Sequence, residues 1–151
     1  MALTVDLYEG SPQSGGTLRA TVTYASNASW STQFLTLTPT EKASITNWSN
    51  LFVQLTSDAT ETEVAWIELE APTGLLGAAE VYPISDIAAG TWTPSTGGSL
   101  FPMVDEPTTA DDTDYIRSAV TPAENACVMK LATLFANTTA ITMRVRHRDS
   151  P

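Results

Sequence analysis

The sequence is poor in the residues from which metal sites and disulfides are built. Its 151 residues include one cysteine, Cys127, and one histidine, His147. A lone cysteine cannot form a disulfide within the chain, so stability must come from the core. One cysteine and one histidine are also too few for a zinc site. We therefore predict no metal and no cofactor, and we expect Cys127 to be a buried, unreactive side chain.

Catalytic signatures are missing as well. A Ser-His-Asp relay would have to use His147, yet no nucleophile motif of the Gly-x-Ser-x-Gly type occurs in the chain. A pair of glycosidase carboxylates needs a cleft, and no feature of the sequence predicts one. We therefore predict that the protein is not an enzyme and that it acts by binding.

Basic residues are scarce. The chain has 7 Lys and Arg against 17 Asp and Glu, which gives a formal charge of -10. Such a charge repels phosphate backbones and anionic lipid surfaces, so we expect neither nucleic acid nor a membrane among the partners. Residues 1–7 have no basic region and no continuous apolar run. We therefore expect no signal peptide and synthesis in the cytoplasm.

Alternating apolar and polar residues recur along the whole chain. Charged residues make up only 16% of the sequence, and residues that favour turns are frequent. This balance is typical of short strands joined by turns, and the length suffices for one core. We predict an all-β fold: a single antiparallel β-sandwich domain over residues 1–151, jelly-roll-like, with halves 1–72 and 80–151 joined by a small-residue linker at 73–79.

The clearest strand covers residues 62–72. Its alternate positions fall into two sets, Ala65, Ile67, Leu69 and Ala71 against Val64, Trp66, Glu68 and Glu70. Because a glutamate cannot be buried unpaired without a large penalty, we expect the first set to face the core. The second set should face solvent or a partner. Pro72, which lacks an N–H group for the sheet, should end the strand.

One helix signal stands out. Thr38, Pro39 and Glu41 have the spacing of a capping box with proline at the first helical position. This predicts a short helix over residues 39–48. It should close one end of the sandwich, with Ile45 and Trp48 packed inward.

An acidic stretch runs from Asp105 to Asp114. Its carboxylates are numerous enough to bind calcium, but the glycine and the late glutamate of an EF-hand loop are missing. A solvated acidic loop is the alternative reading. We expect the solvated loop, and the sequence leaves calcium binding open.

Trp30 lies in a loop that is polar on both sides. A tryptophan in such a place can offer a flat platform to a sugar ring, whereas most aromatic side chains of a small sandwich are buried in its core. Trp30 is therefore the candidate residue for glycan binding.

Three arginines recur on one face of the last predicted strand: Arg144, Arg146 and Arg148. If that strand neighbours the strand at residues 62–72, the arginines can pair with Glu68 and Glu70. They can equally meet an acidic surface of another protein. Both readings stay open, and the three arginines are the candidate partner-binding residues.

Three stretches of the chain resemble the β-sandwich repeat unit of tailed-phage virion structural proteins. They are Leu7-Tyr8-Glu9-Gly10, residues 45–51 leading to Val64-Ala65-Trp66-Ile67-Glu68-Leu69-Glu70-Ala71-Pro72, and Trp92-Thr93-Pro94-Ser95 leading to residues 112–118. In that unit the part like residues 80–148 precedes the part like residues 3–72. The order here is therefore permuted, either by circular permutation or by an exchange of halves between protomers.

The resemblance implies a virion location, after synthesis in the host cytoplasm. It implies a head decoration (cement) protein that binds the major capsid protein or another virion protein, and we expect a homotrimer. The alternative is a tail or fibre module that binds host surface glycan through Trp30. If the halves are circularly permuted, the first and last strands should lie close together within one subunit.

Overall fold

A computed structural model describes residues 2–58, 61–73, 77–107, 109–119, 125–134 and 140–149. Within these ranges, strands predominate and form two sheets, one of five and one of six strands. Every pairing is antiparallel. One hydrophobic core takes side chains from both sheets. The prediction of an all-β antiparallel sandwich is confirmed.

The strands follow one another along the chain as β1 (Ala2–Glu9), β2 (Thr17–Ala25), β3 (Ser31–Thr36), β4 (Leu51–Ser57), β5 (Thr62–Thr73), β6 (Gly77–Val81), β7 (Pro83–Ala88), β8 (Thr93–Pro94), β9 (Ile116–Arg117), β10 (Asn125–Leu131) and β11 (Thr142–Asp149). The first sheet has the order β2-β1-β4-β10-β7. The second has the order β3-β11-β5-β9-β8, and β6 also pairs with β5. Short 3-10 turns occur at Pro12–Ser14 and Phe101–Met103.

The strand order is related to that of a jelly roll. β3, β11, β5 and β6 are neighbours in one sheet, while β2, β1 and β4 are neighbours in the other. A jelly roll has this arrangement of neighbours when β1 is counted as the strand that follows β11. β10 is then an additional strand, inserted between β4 and β7. The fold is therefore jelly-roll-like with the chain ends placed between two successive strands.

β5 is the central strand of the second sheet. Ile67 and Leu69 are buried in the core, as predicted. Val64 also joins the core, which the alternation did not predict. The reason is a register shift. His147 pairs with Val64 and Arg146 pairs with Trp66, so Ala65 is an extra residue of β5 that has no partner in β11. Such a bulge reverses the alternation of side chains on either side of it.

The predicted end of β5 at Pro72 is wrong by one residue. β5 continues to Thr73 and pairs with β6, in which Pro72 faces Ala78. Because β11 pairs no further along β5 than Glu70, Pro72 has one neighbouring strand and its missing N–H is tolerated. Thr73 and residues 77–79 of the predicted linker thus belong to two paired strands, and residues 74–76 lie outside the described residues.

The helix begins where the sequence predicts but ends early. α1 spans Pro39–Ser44, and its capping box is formed, with the Glu41 N–H 3.2 Å from Thr38 Oγ1. Ile45 has an extended backbone and is buried. The predicted continuation to residue 48 is wrong because the Asn47 side chain accepts a hydrogen bond from the Ser49 N–H and so competes with the helix. No helix in the described ranges is long and apolar enough to cross a membrane.

The first and last strands meet at the same end of the sandwich. Ala2 pairs with Ala25 at the end of β2. The Asp149 N–H donates to the Asn27 carbonyl oxygen over 2.7 Å, and the Ser26 hydroxyl donates to the Asp149 carboxylate. The beginning of β1 is therefore anchored to the end of β2, and the end of β11 is anchored to the residues that follow β2.

Candidate partner-binding face

The candidate arginines lie on the outer side of the second sheet. Alternate residues of β11 are buried in the core: Met143, Val145 and His147. Arg144, Arg146 and Arg148 therefore project from the opposite side, and none of them is fully exposed. We use the name arginine face for these three arginines together with the other side chains of the same surface: Arg117, Trp30, Tyr115, Glu61, Glu63, Glu68, Glu70 and Asp112.

Arg144 pairs with two glutamates of β5. Its Nη1 lies 2.6 Å from Glu68 Oε1, and its Nη2 contacts Glu70 Oε2. Glu68 is only 1% exposed, so of the two expected surroundings, solvent or a partner, it has the partner. Burial raises the pKa of Glu68, and the charge of Arg144 opposes that shift. A carboxylate can be buried here because the neighbouring strand supplies a cation.

Glu63 is the most deeply buried carboxylate of the arginine face. It is 0% exposed, and two arginines hold it from opposite sides. Arg148 Nε lies 2.5 Å from Glu63 Oε2, and Arg117 Nη2 lies 2.5 Å from Glu63 Oε1. Arg117 also pairs with Glu61 at 2.8 Å. Sequence reasoning missed Arg117 because β9 is a two-residue strand without a pattern of its own. It missed Glu63 because the bulge in β5 reverses the alternation that would place Glu63 on the same side as Ile67.

Arg146 draws the acidic stretch onto the sheet. Its Nε and Nη2 lie 2.5 and 2.6 Å from the two carboxylate oxygens of Asp112. This two-point contact raises the pKa of Arg146 above its ordinary value. The acidic stretch is therefore not simply a solvated loop, because Asp112 fixes part of it against β11.

Trp30 packs over the arginines. The Arg148 guanidinium lies 4.6 Å from the Trp30 ring centroid, and the Arg146 guanidinium lies 5.9 Å from it. The Tyr115 ring lies 6.1 Å away at a tilt of 55°. Guanidinium groups at these distances are attracted to an aromatic face. Trp30 is thus neither a core residue nor an isolated platform, but one member of a group of aromatic and basic side chains.

A cleft adjoins the arginine face. It has a volume of about 140 Å³ and is lined by Thr93, Pro94, Ser95, Tyr115 and Arg117. The Tyr115 ring connects the cleft to Trp30, and the Arg117 guanidinium lies 5.3 Å from the Tyr115 ring centroid. The cleft therefore offers hydroxyl groups, one aromatic ring and one cation to a small polar ligand.

The acidic stretch contains an unusual carboxylate, Glu106. Both of its oxygens are inaccessible to solvent and have no hydrogen-bond partner among the described residues. Burial raises the pKa of Glu106 to about 7, and the charges of Asp114 and Asp105 add to the shift. In the described ranges, no three Asp, Glu, His or Cys side chains are arranged to hold a metal ion.

His147 and Cys127 lie in the core, away from the arginine face. His147 stacks on Tyr24 with ring centroids 5.6 Å apart, and neither of its ring nitrogens has a hydrogen-bond partner in the described part of the chain. Burial lowers the pKa of His147. Burial also raises the pKa of Cys127, which keeps the thiol protonated and unreactive. The expectation of a buried Cys127 is confirmed.

The arginine face is close to electrically neutral. Its four arginines meet five carboxylates, namely Glu61, Glu63, Glu68, Glu70 and Asp112. The reading in which the basic stripe pairs with the central strand is thus correct for Arg144. No protein-family model, curated protein or solved structure matches the chain.

Proposed function

We propose that this protein is a structural protein of a tailed-phage virion, and that it binds the assembled capsid surface as a head decoration protein. The observation that carries the proposal is that the beginning of β1 and the end of β11 both contact residues 25–27. In the resembling unit the chain passes directly from a strand like β11 into one like β1. A permuted relative of that unit must keep those two strand ends together.

The arginine face supports a role in binding. Trp, Tyr and Arg are the residue types that contribute most to protein–protein affinity, and the arginine face brings together Trp30, Tyr115 and four arginines. Ion pairs and ring contacts hold these side chains in place before a partner arrives. Ordering them on binding therefore costs little conformational entropy.

The distribution of charge also favours the arginine face as the capsid contact. The whole chain carries a formal charge of -10, whereas the arginine face is nearly neutral. An acidic capsid surface would be repelled least at this face. We therefore assign the capsid contact to the surface around Arg146 and Trp30, with Arg144 and Arg148 beside them.

A particle-binding experiment tests the proposal. The protein is mixed with phage particles that lack it, and the particles are sedimented. We expect saturable co-sedimentation at a fixed number of copies per capsomer, with three copies per site if the decoration is a trimer. Arg146→Gln should weaken binding about ten-fold, which corresponds to about 1.4 kcal/mol.

Arg19→Gln is the matched control. Arg19 is also a partly exposed arginine in an ion pair, with Glu9 at 2.8 Å, but it lies on the first sheet. It should bind particles like the unmodified protein. Absence of binding to particles, or equal losses from both substitutions, would count against the proposal.

The cleft favours a second function, that of a tail or fibre module that binds host surface glycan. Sugars are bound by aromatic rings together with hydroxyl and charged groups, and the cleft beside Trp30 supplies Tyr115, Thr93 and Arg117. Binding to purified host cell wall tests this function. Thr93→Arg, which fills the cleft, should abolish cell-wall binding.

A further inference from the structure

β3 is an open edge of the second sheet. It is the terminal strand on its side and pairs with β11 alone. No described residue forms a backbone hydrogen bond with its other edge. A row of unpaired N–H and C=O groups of this kind is a template for a further strand.

The sequence of β3 contains none of the features that usually protect such an edge. Its six residues, Ser31–Thr36, include no proline and no charged side chain. Its pairing with β11 runs from Thr36 to Ser31 without a register shift, so no bulge turns the edge away. Proteins normally block a free edge with a charge, a proline or a bulge, because an unblocked edge recruits other chains.

The other edge strands of the described structure all carry such protection. β2 contains Arg19 and has a register shift in its pairing with β1. β7 begins with Pro83 and contains Asp86. β8 is two residues long and contains Pro94, and β6 contains Glu80. β3 is therefore the exception, and its lack of protection calls for an explanation.

An exposed phenylalanine marks the same strand. Phe34 is 58% exposed, the largest exposed fraction among the large hydrophobic residues described. It faces Arg144 in the register of β3 and β11, and the Arg144 guanidinium lies 6.0 Å from its ring centroid. An added strand would cover the ring as well as the free backbone groups.

We propose that β3 pairs with β3 of a second copy of this chain in an antiparallel, two-fold symmetric contact. Two molecules that each carry a formal charge of -10 repel one another over most of their surfaces. β3 has no charge, and the nearest charged side chains, Arg144 and Arg146, are neutralised by carboxylates. This edge is where two copies can approach with the least repulsion.

Symmetry supports a second copy as the occupant. Antiparallel pairing of a strand with itself places Phe34 near Phe34 of the other copy, and the same patch serves both molecules. Because β3 is the one unprotected edge among the described strands, the contact closes at two copies and does not grow into a filament. A trimer on the particle would have to use another surface.

The expected affinity is modest. Six residues of strand extend over about 20 Å, and such a contact is smaller than a standard protein–protein interface. We therefore expect a dimer that forms in the micromolar range and dissociates on dilution. This proposal does not depend on the proposed function, since it concerns the protein without particles.

Sedimentation equilibrium over about 1 μM to 1 mM tests the proposal. The average mass should rise from 16.1 kDa towards twice that value. Phe34→Lys, which places a charge on the edge, should weaken the dimer at least about ten-fold. Leu18→Lys is the matched control: Leu18 is 47% exposed on the edge strand β2, so the lost hydrophobic area and the added charge are comparable. It should dimerise like the unmodified protein.

Hydrogen exchange gives a second readout. Amide protection within β3 should increase with protein concentration, and protection within β2 should not. A mass of 16.1 kDa throughout the range would overturn the proposal, even if an added peptide strand were captured. So would a limiting mass of three copies, or a dimer that Leu18→Lys disrupts and Phe34→Lys leaves intact. Circular dichroism of both variants verifies that they are folded.

Discussion

At the scale of single residues, the most informative side chain is Glu68. The sequence places it on the outer side of its strand, because an unpaired buried carboxylate is costly, and leaves open whether it meets solvent or a partner. The premise is sound, but the partner comes from 76 residues further along the chain, where Arg144 occupies the facing position of β11. Local alternation indicates which residues share a face. It does not indicate whether the outer face is covered.

Removing Arg144 and removing Glu68 should have unequal effects on stability. Arg144→Ala would leave Glu68 buried without its cation and should lower the free energy of unfolding by about 3 kcal/mol. Glu68→Ala should cost only about 1 kcal/mol, because Arg144 is partly exposed and keeps Glu70. Urea unfolding of both variants measures the difference. Equal costs would mean that Glu68 is not buried in solution.

Glu106 predicts an unusual dependence of stability on pH. Its pKa is about 7 in the folded protein against an ordinary value of 4.5, so the folded state binds more protons between these values. The contribution of Glu106 to the stability of the folded state is fully present below pH 4.5 and is lost as the pH rises through about 7. Glu106→Gln should therefore be more stable than the unmodified protein at pH 8, with the gain shrinking towards pH 5.

His147 provides the contrasting case. Burial lowers its pKa below the ordinary value of 6.5, so its contribution to stability is present above pH 6.5 and is lost as the pH falls. His147→Phe should therefore flatten the loss of stability on the acid side. Thermal unfolding between pH 4 and 9 checks both substitutions. Parallel pH profiles for all three proteins would contradict both assignments.

At the scale of elements, β5 predicts the cost of removing core side chains. Ile67 and Leu69 are both buried almost completely. Ile67→Ala or Leu69→Ala should lower the free energy of unfolding by roughly 2 to 5 kcal/mol, from the lost transfer energy and the cavity left behind. Chemical denaturation provides the measurement. Trp66→Ala, on the outer side of the same strand, is the comparison and should cost less than either.

The sequence predicts these elements where local chemistry decides them. The capping box at Thr38 and the burial of Ile67 depend on neighbours in the chain, and both were predicted correctly. The bulge that brings Val64 into the core and the pairing of β6 beyond Pro72 depend on strands distant in sequence. No local pattern contains that information.

In the arginine face, too, the residues identified from local sequence differ from those that depend on strands distant in the chain. The three arginines of β11 were identified from their alternation, and Trp30 from its polar loop. Their partners Glu63, Arg117 and Asp112 were not. Arg117 and Asp112 belong to a two-residue strand and a turn, and they become part of the face only when β9 and the acidic stretch pack against β5 and β11. Glu63 belongs to β5 and lies on the outer side only because of the bulge.

At the scale of the whole molecule, the positions of the chain ends predict a tolerated rearrangement. Ala2 and Asp149 are both attached to residues 25–27, which places their Cα atoms within about 18 Å of one another. A Gly/Ser linker of about eight residues spans that distance. Joining the ends and reopening the chain between Thr73 and Gly77 should give a folded protein.

The control for this rearrangement keeps the linker and moves the opening. A chain opened between Met129 and Lys130 interrupts β10, which pairs with both β4 and β7, and should not fold. Circular dichroism and melting temperature measure the outcome. If the variant opened between Thr73 and Gly77 also fails to fold, the prediction that the ends are adjacent is wrong.

The place of β11 in the sheet also has a consequence for how the protein is made. β11 lies between β3 and β5, and β3 has no other neighbouring strand. During synthesis, β3 and β5 leave the ribosome long before β11 does. Until it arrives, Glu68 lacks Arg144 and cannot be buried, and Glu63 has Arg117 but lacks Arg148. The second sheet is therefore completed only after translation has passed residue 149, and until then the edge of β5 that pairs with β11 has no neighbouring strand.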